Sequence, residues 1–466
     1  MMRSFLPLLL FCVAALPAWG QGTPVAAATG FFHARQMDQR WGLVDPQGRP
    51  FVSMGVDAVC HHPDETRDTH RCAYAEAVLA KYGSVEAWRK AAAEQLFSLG
   101  FNTLGSWSED AIAQVEVNKE HLAYAPNLEL GVSFVHSRTG GAATAFAWMK
   151  GIFPDVFDPD FAKSVQALAD AKCRPLKEDP HLLGWFTDNE LCWGPDWRGR
   201  DELLVEFLNA PLQSPGREAA LGLLEQRYPA IARFNEVWST AFASWDAARQ
   251  APQFVTPAGA SRKAILAQNA EVNRTASNDM ARAFIADCDA FVGLLAERYF
   301  QITAEAIKAA DPNHMVMGCR FAYVPAAPVI AAAGKYCDVI SFNSYSDDPT
   351  WALNAYTAAN KPLLIGEFGF RARDSGLPNT KGAGLLLATQ ADRARCYEAY
   401  VRAALRHPYF VGCHWFKHAD EPKEGRFDGE DSNYGIVNID DRPYDVLSAK
   451  MKEVNAFAVG GEAAQP

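Results

Sequence analysis

Two glutamates stand in contexts where a carboxylate can react rather than merely pair. The first closes Gly184-Trp185-Phe186-Thr187-Asp188-Asn189-Glu190, a largely apolar stretch that ends in an amide and a carboxylate. The second sits in Leu363-Leu364-Ile365-Gly366-Glu367-Phe368-Gly369-Phe370, where glycines on both sides let the backbone turn tightly. If both stretches are parallel strands, each carboxylate leaves the C-terminal end of its strand, the face where sites form in α/β barrels. Two opposed carboxyls across a cleft are what glycosidic-bond hydrolysis needs. One keeps a proton for the leaving oxygen, and the other attacks the anomeric carbon as an anion. A single strand-end Glu is more often an ion-pair partner. Two in these contexts, one of them preceded by Asn, favour chemistry.

Neighbouring strand ends add groups that suit a sugar. Phe342-Asn343-Ser344-Tyr345 places Tyr345 where it can hydrogen-bond Glu367. His414-Trp415-Phe416-Lys417-His418 offers Trp415 as a flat apolar platform for a sugar ring, with Trp107 and Trp193 as lesser candidates. Core packing competes with that reading, since large aromatics are usually buried for their area. Between residues 61 and 70 lie His61, His62 and His70 with Asp64, Glu65 and Asp68. Adjacent histidines point apart on an extended chain, so this reads as a polar, substrate-facing loop and no metal site is expected. Asp428-Gly429-Glu430-Asp431 lacks the spacing of a calcium loop and reads as solvated or substrate-contacting. Cys60 and Cys72 bracket the polar loop, where a disulfide could staple the connection.

The elements that must position these groups alternate between strand and helix. Apolar runs at Phe51–Val56, Asn102–Gly105, Leu128–Phe134, Leu182–Thr187, His314–Cys319, Val339–Asn343, Pro362–Gly366 and Tyr409–Trp415 predict eight strands. Amphipathic segments between them, among them Ser84–Ser98, Phe161–Ala171, Asn278–Ala310 and Thr389–Arg406, predict helices. Eight such units predict an α/β fold of the (β/α)8 TIM-barrel kind rather than an open sheet. The reading gives 21–50 as a linker and β-hairpin, and 51–460 as the barrel. A long helical insertion follows strand four, at about 195–275. That insertion is rich in Trp, Phe and Tyr and is expected to wall one side of the site.

Composition bounds the rest. The chain has 466 residues, 49% hydrophobic and 12% aromatic, which is enough to bury a large core. A net charge of -11 without any Lys/Arg run excludes a nucleic-acid partner. Arg3 followed by the apolar run Phe5–Leu16, Pro17 and Ala18-Trp19-Gly20 reads as a signal peptide over 1–20, cleaved near Gly20. The run is too short to span a bilayer, so export to the periplasm or medium is expected and no membrane span is predicted.

The residues also resemble a family. Asn189-Glu190 and Glu367 are similar to the pattern of clan A retaining glycoside hydrolases. Gly100–Ser108, Phe153–Pro159, Asp311–His314, Gly318–Ala322 and Asn433–Val437 resemble family 50 β-agarases. Leu221–Trp245 has some likeness to family 42 β-galactosidases. The resemblance implies Glu190 as acid/base and Glu367 as nucleophile, with Asn189 at the hydroxyl beside the anomeric carbon. It further implies that Tyr345 orients Glu367 and that Trp415 floors the subsite, with Asn343, Arg320 and Trp107 as substrate contacts. The expected activity is double-displacement cleavage of β-galactosidic linkages in agarose-like or other galactose-containing saccharides, with no cofactor. Alternatives are a β-galactosidase-like exo-enzyme on short oligosaccharides and a barrel that binds carbohydrate without turnover.

Overall fold

The computed structural model describes residues 24–139, 144–257, 260 and 279–460. The leader read at 1–20 lies outside them, as does part of the insertion. The chain opens with an antiparallel sheet of three strands, β1 (His33–Met37), β2 (Arg40–Val44) and β3 (Pro50–Phe51). It continues into parallel strands β4 (Ser53–Val56), β5 (Thr103–Leu104), β6 (Ala123–Tyr124), β7 (Gly184–Trp185), β8 (Met315–Val316), β9 (Ile340–Asn343) and β10 (Leu363–Phe368). A short pair, β11 (Arg371–Ala372) and β12 (Leu386–Leu387), precedes the last strand, β13 (Phe410–Trp415). Six of these strands form one parallel sheet in the order β6-β5-β4-β13-β10-β9, and β7 pairs with β8. Isolated parallel bridges join Tyr124 to Leu182, Asn127 to Phe186 and Phe321 to Phe342. This is an α/β protein with a parallel sheet flanked by helices.

One expected strand is a helix. The third strand is Ala123–Tyr124, and the predicted run Leu128–Phe134 instead leads into a helix over Leu130–Thr139. A short continuous apolar run suits a buried helix as well as a strand, and periodicity alone cannot separate them. The deciding contact comes from far along the chain: the buried Asp188 carboxylate accepts the N–H groups of Gly131 (2.8 Å) and Val132 (3.1 Å) and so caps that first turn.

Side chains from the strands separate into two cores. Leu364 joins Ala123, Leu183, Met315, Val339 and Val411 in an inner cluster that Phe32 and Leu43 of the N-terminal sheet cover at one end. Leu363 and Ile365 point the other way, into the larger core beneath the helices. Burial on both faces explains why the strands read as continuous apolar runs. Helix boundaries follow local chemistry. Ser84 caps Val85–Ser98, and Thr389 with Asp392 forms a capping box on Gln390–Arg406.

The described part of the insertion packs on the long helix Asp279–Ala310. Trp238 meets Phe284 at 4.9 Å between ring centroids. Asp287, fully buried, accepts from Arg227 Nε (2.6 Å), Tyr228 Oη (2.9 Å) and Trp238 Nε1 (2.9 Å). The expected staple between Cys60 and Cys72 is absent. Both are free thiols, and Cys72 Sγ instead accepts from Ala75 N–H at the start of the helix Ala73–Tyr82. No helix among the described residues is long and apolar enough to cross a membrane. Asp287→Ala strands three donors at once, so it should destabilise the protein by about 2 kcal/mol in urea denaturation. An unchanged midpoint would mean that aromatic packing alone holds the insertion.

Candidate active site

The sheet brings the two glutamates to one cavity. Glu367 lies near the end of β10 in register with Asn343 of β9, and Glu190 lies five residues past β7. Both line a cavity of about 280 Å³, together with Asn189, Trp107, Trp148 and Phe416. Four of the residues lining it, Ala58 (φ 53°), Trp107 (φ 60°), Glu129 (φ 56°) and Glu190 (φ 53°), have left-handed backbones, as does nearby Arg320 (φ 50°). Non-glycine residues occupy that region at a cost of about 1–2 kcal/mol each, so the surroundings must hold them there. For Glu190 the hold is visible: its N–H donates to the carbonyls of Cys319 and Arg320, and Arg198 Nη1 donates to its carbonyl at 2.9 Å.

The two carboxylates differ in their partners. Glu367 accepts from Arg320 Nη2 at Oε1 (2.7 Å) and from Tyr345 Oη at Oε2 (2.6 Å). No cation among the described residues is hydrogen-bonded to the Glu190 carboxylate. Its Oε1 accepts from Asn343 Nδ2 (2.9 Å) and its Oε2 from Trp148 Nε1 (3.2 Å). Burial, with the nearby charge of Glu367 adding to it, pushes the Glu190 carboxyl up to about 7. A carboxyl that keeps its proton near neutral pH can act as an acid, while one supplied with two donors suits an anion.

Arg320 ties the site together. Besides Glu367, its Nη2 donates to Asp57 Oδ2 (3.2 Å) and its Nε to Asn189 Oδ1 (2.9 Å). The guanidinium lies 4.9 Å from the ring centroids of both Trp107 and Phe186. Asp57, at the end of the first parallel strand, is fully buried, and that burial raises its carboxyl to about 8. Asp188 is likewise buried and raised to about 7, against the pull of Tyr299 Oη (2.5 Å) and the two helix N–H groups. It anchors the segment that carries Asn189 and Glu190.

Most of the expected site residues converge, and two tryptophans do not. Glu190, Glu367, Asn189, Asn343, Tyr345, Arg320 and Trp107 meet at or directly behind the cavity. Trp415 is wholly buried. It packs against Phe368 and Tyr397, its indole N–H donates to Tyr434 O (2.9 Å), and it offers no face to a ligand. The next residue, Phe416, lines the cavity instead. Trp193 is also buried, stacked on Phe300. No described residue from 200 onward in the insertion lines the cavity; that side is formed by Glu129, Val132 and Trp148, from the connection after β6. The polar loop does reach the site through Pro63 and Asp64, whereas beside the acidic stretch Asp428–Asp431 it is the preceding Arg426 and Phe427 that line the cavity. There Lys417 pairs with Asp64, and Arg426 with Asp428 and Glu430 (2.8 Å each). Sequence reasoning missed Asp57, Trp148 and Phe416. Asp57 closes the predicted first strand much as Glu190 follows the fourth, a signal that was readable, whereas Trp148 carries none.

Fold and site together define a parallel α/β scaffold with an opposed carboxylate pair at the C-terminal ends of its strands. Comparison with known proteins gives that class a family likeness. No family model matches the chain. It is 28% identical to β-agarase B and 29% identical to β-agarase A of Vibrio sp. (strain JT0107), in each case over 94% of this chain. The chain spans about half the length of these relatives, 49% and 46%. Among solved structures it superposes on an exo-β-agarase with a TM-score of 0.75 at 24% identity, covering 94% of this chain and 66% of the other. It matches the family 50 structure BpGH50 with a TM-score of 0.69 at 22% identity, covering 95% and 85%. The resemblance to family 50 glycoside hydrolases carried by the motifs thus extends over nearly the whole chain.

Because the folded protein holds the Glu190 carboxyl above its ordinary value of 4.5, it retains a proton that the unfolded chain releases first. Stability falls as pH rises from 4.5 to about 7 on this account. Glu190→Gln cannot ionise, so its melting temperature should gain on wild type through that window and hold the gain above it. A difference that stays constant from pH 4 to 8, roughly the window the shift spans, would remove the raised carboxyl.

Proposed function

We propose that this chain is an exported, retaining β-glycoside hydrolase that cleaves β-galactosidic linkages in agarose-type galactans. The observation that carries the reading is the unequal setting of the two carboxyls, with Arg320 and Tyr345 on Glu367 and burial without a bonded cation on Glu190. The substrate follows from the relatives, which are named as β-agarases. Export follows from the leader at 1–20. A closed ring of eight strands is the scaffold we infer, supported by the bridges Tyr124–Leu182 and Phe321–Phe342 at the two places where the continuous ladders stop.

In the first step Glu190 passes its proton to the glycosidic oxygen while Glu367 attacks the anomeric carbon. The sugar remains as an ester on Glu367, and the leaving chain departs as an alcohol. Glu190, now a carboxylate, takes a proton from water, which attacks the same carbon and frees Glu367. Two inversions give net retention. Arg320 and Tyr345 fix the two oxygens of Glu367 so that one lone pair faces the sugar. Asn189 has its Oδ1 committed to Arg320, which leaves its amide N–H groups for the hydroxyl beside the anomeric carbon. Trp107, 39% exposed, and Phe416 give the ring apolar faces. The chemistry draws only on side chains and water.

Product analysis on agaro-oligosaccharides, β-linked galactans and aryl β-galactosides tests the reading. Wild type should release sugar of retained configuration. Glu367→Gln should release none, and Glu367→Ala with azide should form the glycosyl azide of inverted configuration. Full activity in Glu367→Gln would end the nucleophile assignment. Glu190→Ala should slow substrates with poor leaving groups by about 10²–10⁴-fold and spare activated aryl glycosides. An equal loss on both classes would show that Glu190 is not the acid.

A further inference from the structure

The two oxygens of Glu190 are not equivalent. Oε1 is tied to the Asn343 amide on the buried side of the site. Oε2 meets the indole N–H of half-buried Trp148 at 3.2 Å, and both residues line the cavity. The oxygen that can reach a substrate is therefore the one Trp148 touches. An indole N–H is a donor only and never takes up a proton. Its bond to Oε2 is weakest while that oxygen carries hydrogen and strongest once the oxygen is an anion.

We propose that Trp148 is a further positioning residue of the acid–base step, holding Oε2 of Glu190 toward the leaving oxygen and stabilising the charge that appears there. This rests on the assignment of Glu190 as acid/base. In the glycosylation step the Oε2–H bond breaks and the proton goes to the glycosidic oxygen, which leaves the anomeric carbon with the C–O electron pair as Glu367 bonds to that carbon. The electron pair of the O–H bond stays on Glu190, and the Trp148 N–H is already in place to donate a hydrogen bond to it. An interaction that grows along the reaction lowers the barrier, whereas one equal in both states does not. Trp148 arrives from the helix Thr144–Met149, after β6, whereas Glu190 follows β7, so the acid is held from a separate segment.

Other charges also face Glu190. Glu367 lies across the cavity, Arg198 binds the Glu190 carbonyl, and Glu129, Asp64, Lys417 and Arg426 complete the walls. Trp148→Phe removes the N–H donor and leaves a smaller apolar ring in the wall, so the readouts are the pH limb and the split between leaving groups, which lost ring volume alone does not move. Without the donor Glu190 keeps its proton to higher pH, and the basic limb of kcat/KM should move up by about half a pH unit or more. With the charge on Oε2 left unsupported, kcat on substrates with poor leaving groups should fall about ten-fold, a loss of about 1.4 kcal/mol, with less than about two-fold on activated aryl glycosides. An unmoved limb with equal losses on both classes would overturn the proposal.

A second measurement does not depend on turnover. In full-length protein labelled with 5-fluorotryptophan, the ¹⁹F signal missing from Trp148→Phe is that of Trp148. It should shift with pH in wild type and stay flat in Glu190→Gln. A flat signal in wild type overturns the pairing. A titrating signal in a protein that turns over none of the glycosides keeps the pairing and removes the glycosidase reading instead.

Discussion

The contact between Arg320 and Glu367 is the one on which the rest of the site depends. A guanidinium with no exposure to water is stable only where its charge is answered, and Arg320 meets Glu367 at 2.7 Å and Asp57 at 3.2 Å. The aromatic faces of Trp107 and Phe186 exclude water from it. Its Nε donor fixes Asn189, and Asn189 is bonded in turn to Asn343, which holds Glu190. The two cavity carboxyls are thus joined by a short chain of polar contacts through one cation. A change to any member leaves a buried partner without its complement, which explains why groups from β4, β7, β8, β9 and β10 must arrive together.

The same arrangement divides the electrostatics. The cation stands beside Glu367 and away from Glu190, whose carboxyl meets only neutral donors. Two acids carried by different strands of one fold, Glu367 near the end of β10 and Glu190 past β7, therefore acquire different properties from their surroundings alone. The cost is carried by the scaffold. Asp57, Asp188 and Glu190 are buried carboxyls held above their ordinary values, and left-handed non-glycine residues ring the cavity. Strain and buried charge of this kind persist only where packing elsewhere is ample. The layered core around the strands and the aromatic cluster of the insertion provide that packing.

Much of this was legible along the chain. Strand-end motifs located Glu190 and Glu367, and seven of the eight predicted strands overlap an observed one. The misread third strand failed where an apolar run had two compatible structures and a distant Asp188 chose between them. Trp415 failed for a related reason. Side chains alternate about a strand, so a shift of one residue exchanges the cavity face for the core, and Phe416 took the place expected of Trp415.

The amino-acid sequence by itself determined seven of the eight expected strands, which carboxylates stand at strand ends, and the likeness to family 50. The first two are set by nearest neighbours or by local periodicity, and the third by the resemblance of its motifs. Only the tertiary structure decided that Arg320 joins Glu367 to Asp57, that Trp148 bonds Glu190, and that Trp238 of the insertion packs on the long helix. Those contacts join positions 42 to 263 residues apart. Burial and hydrogen-bond partnership arise from distant segments meeting, and no local pattern encodes such a meeting.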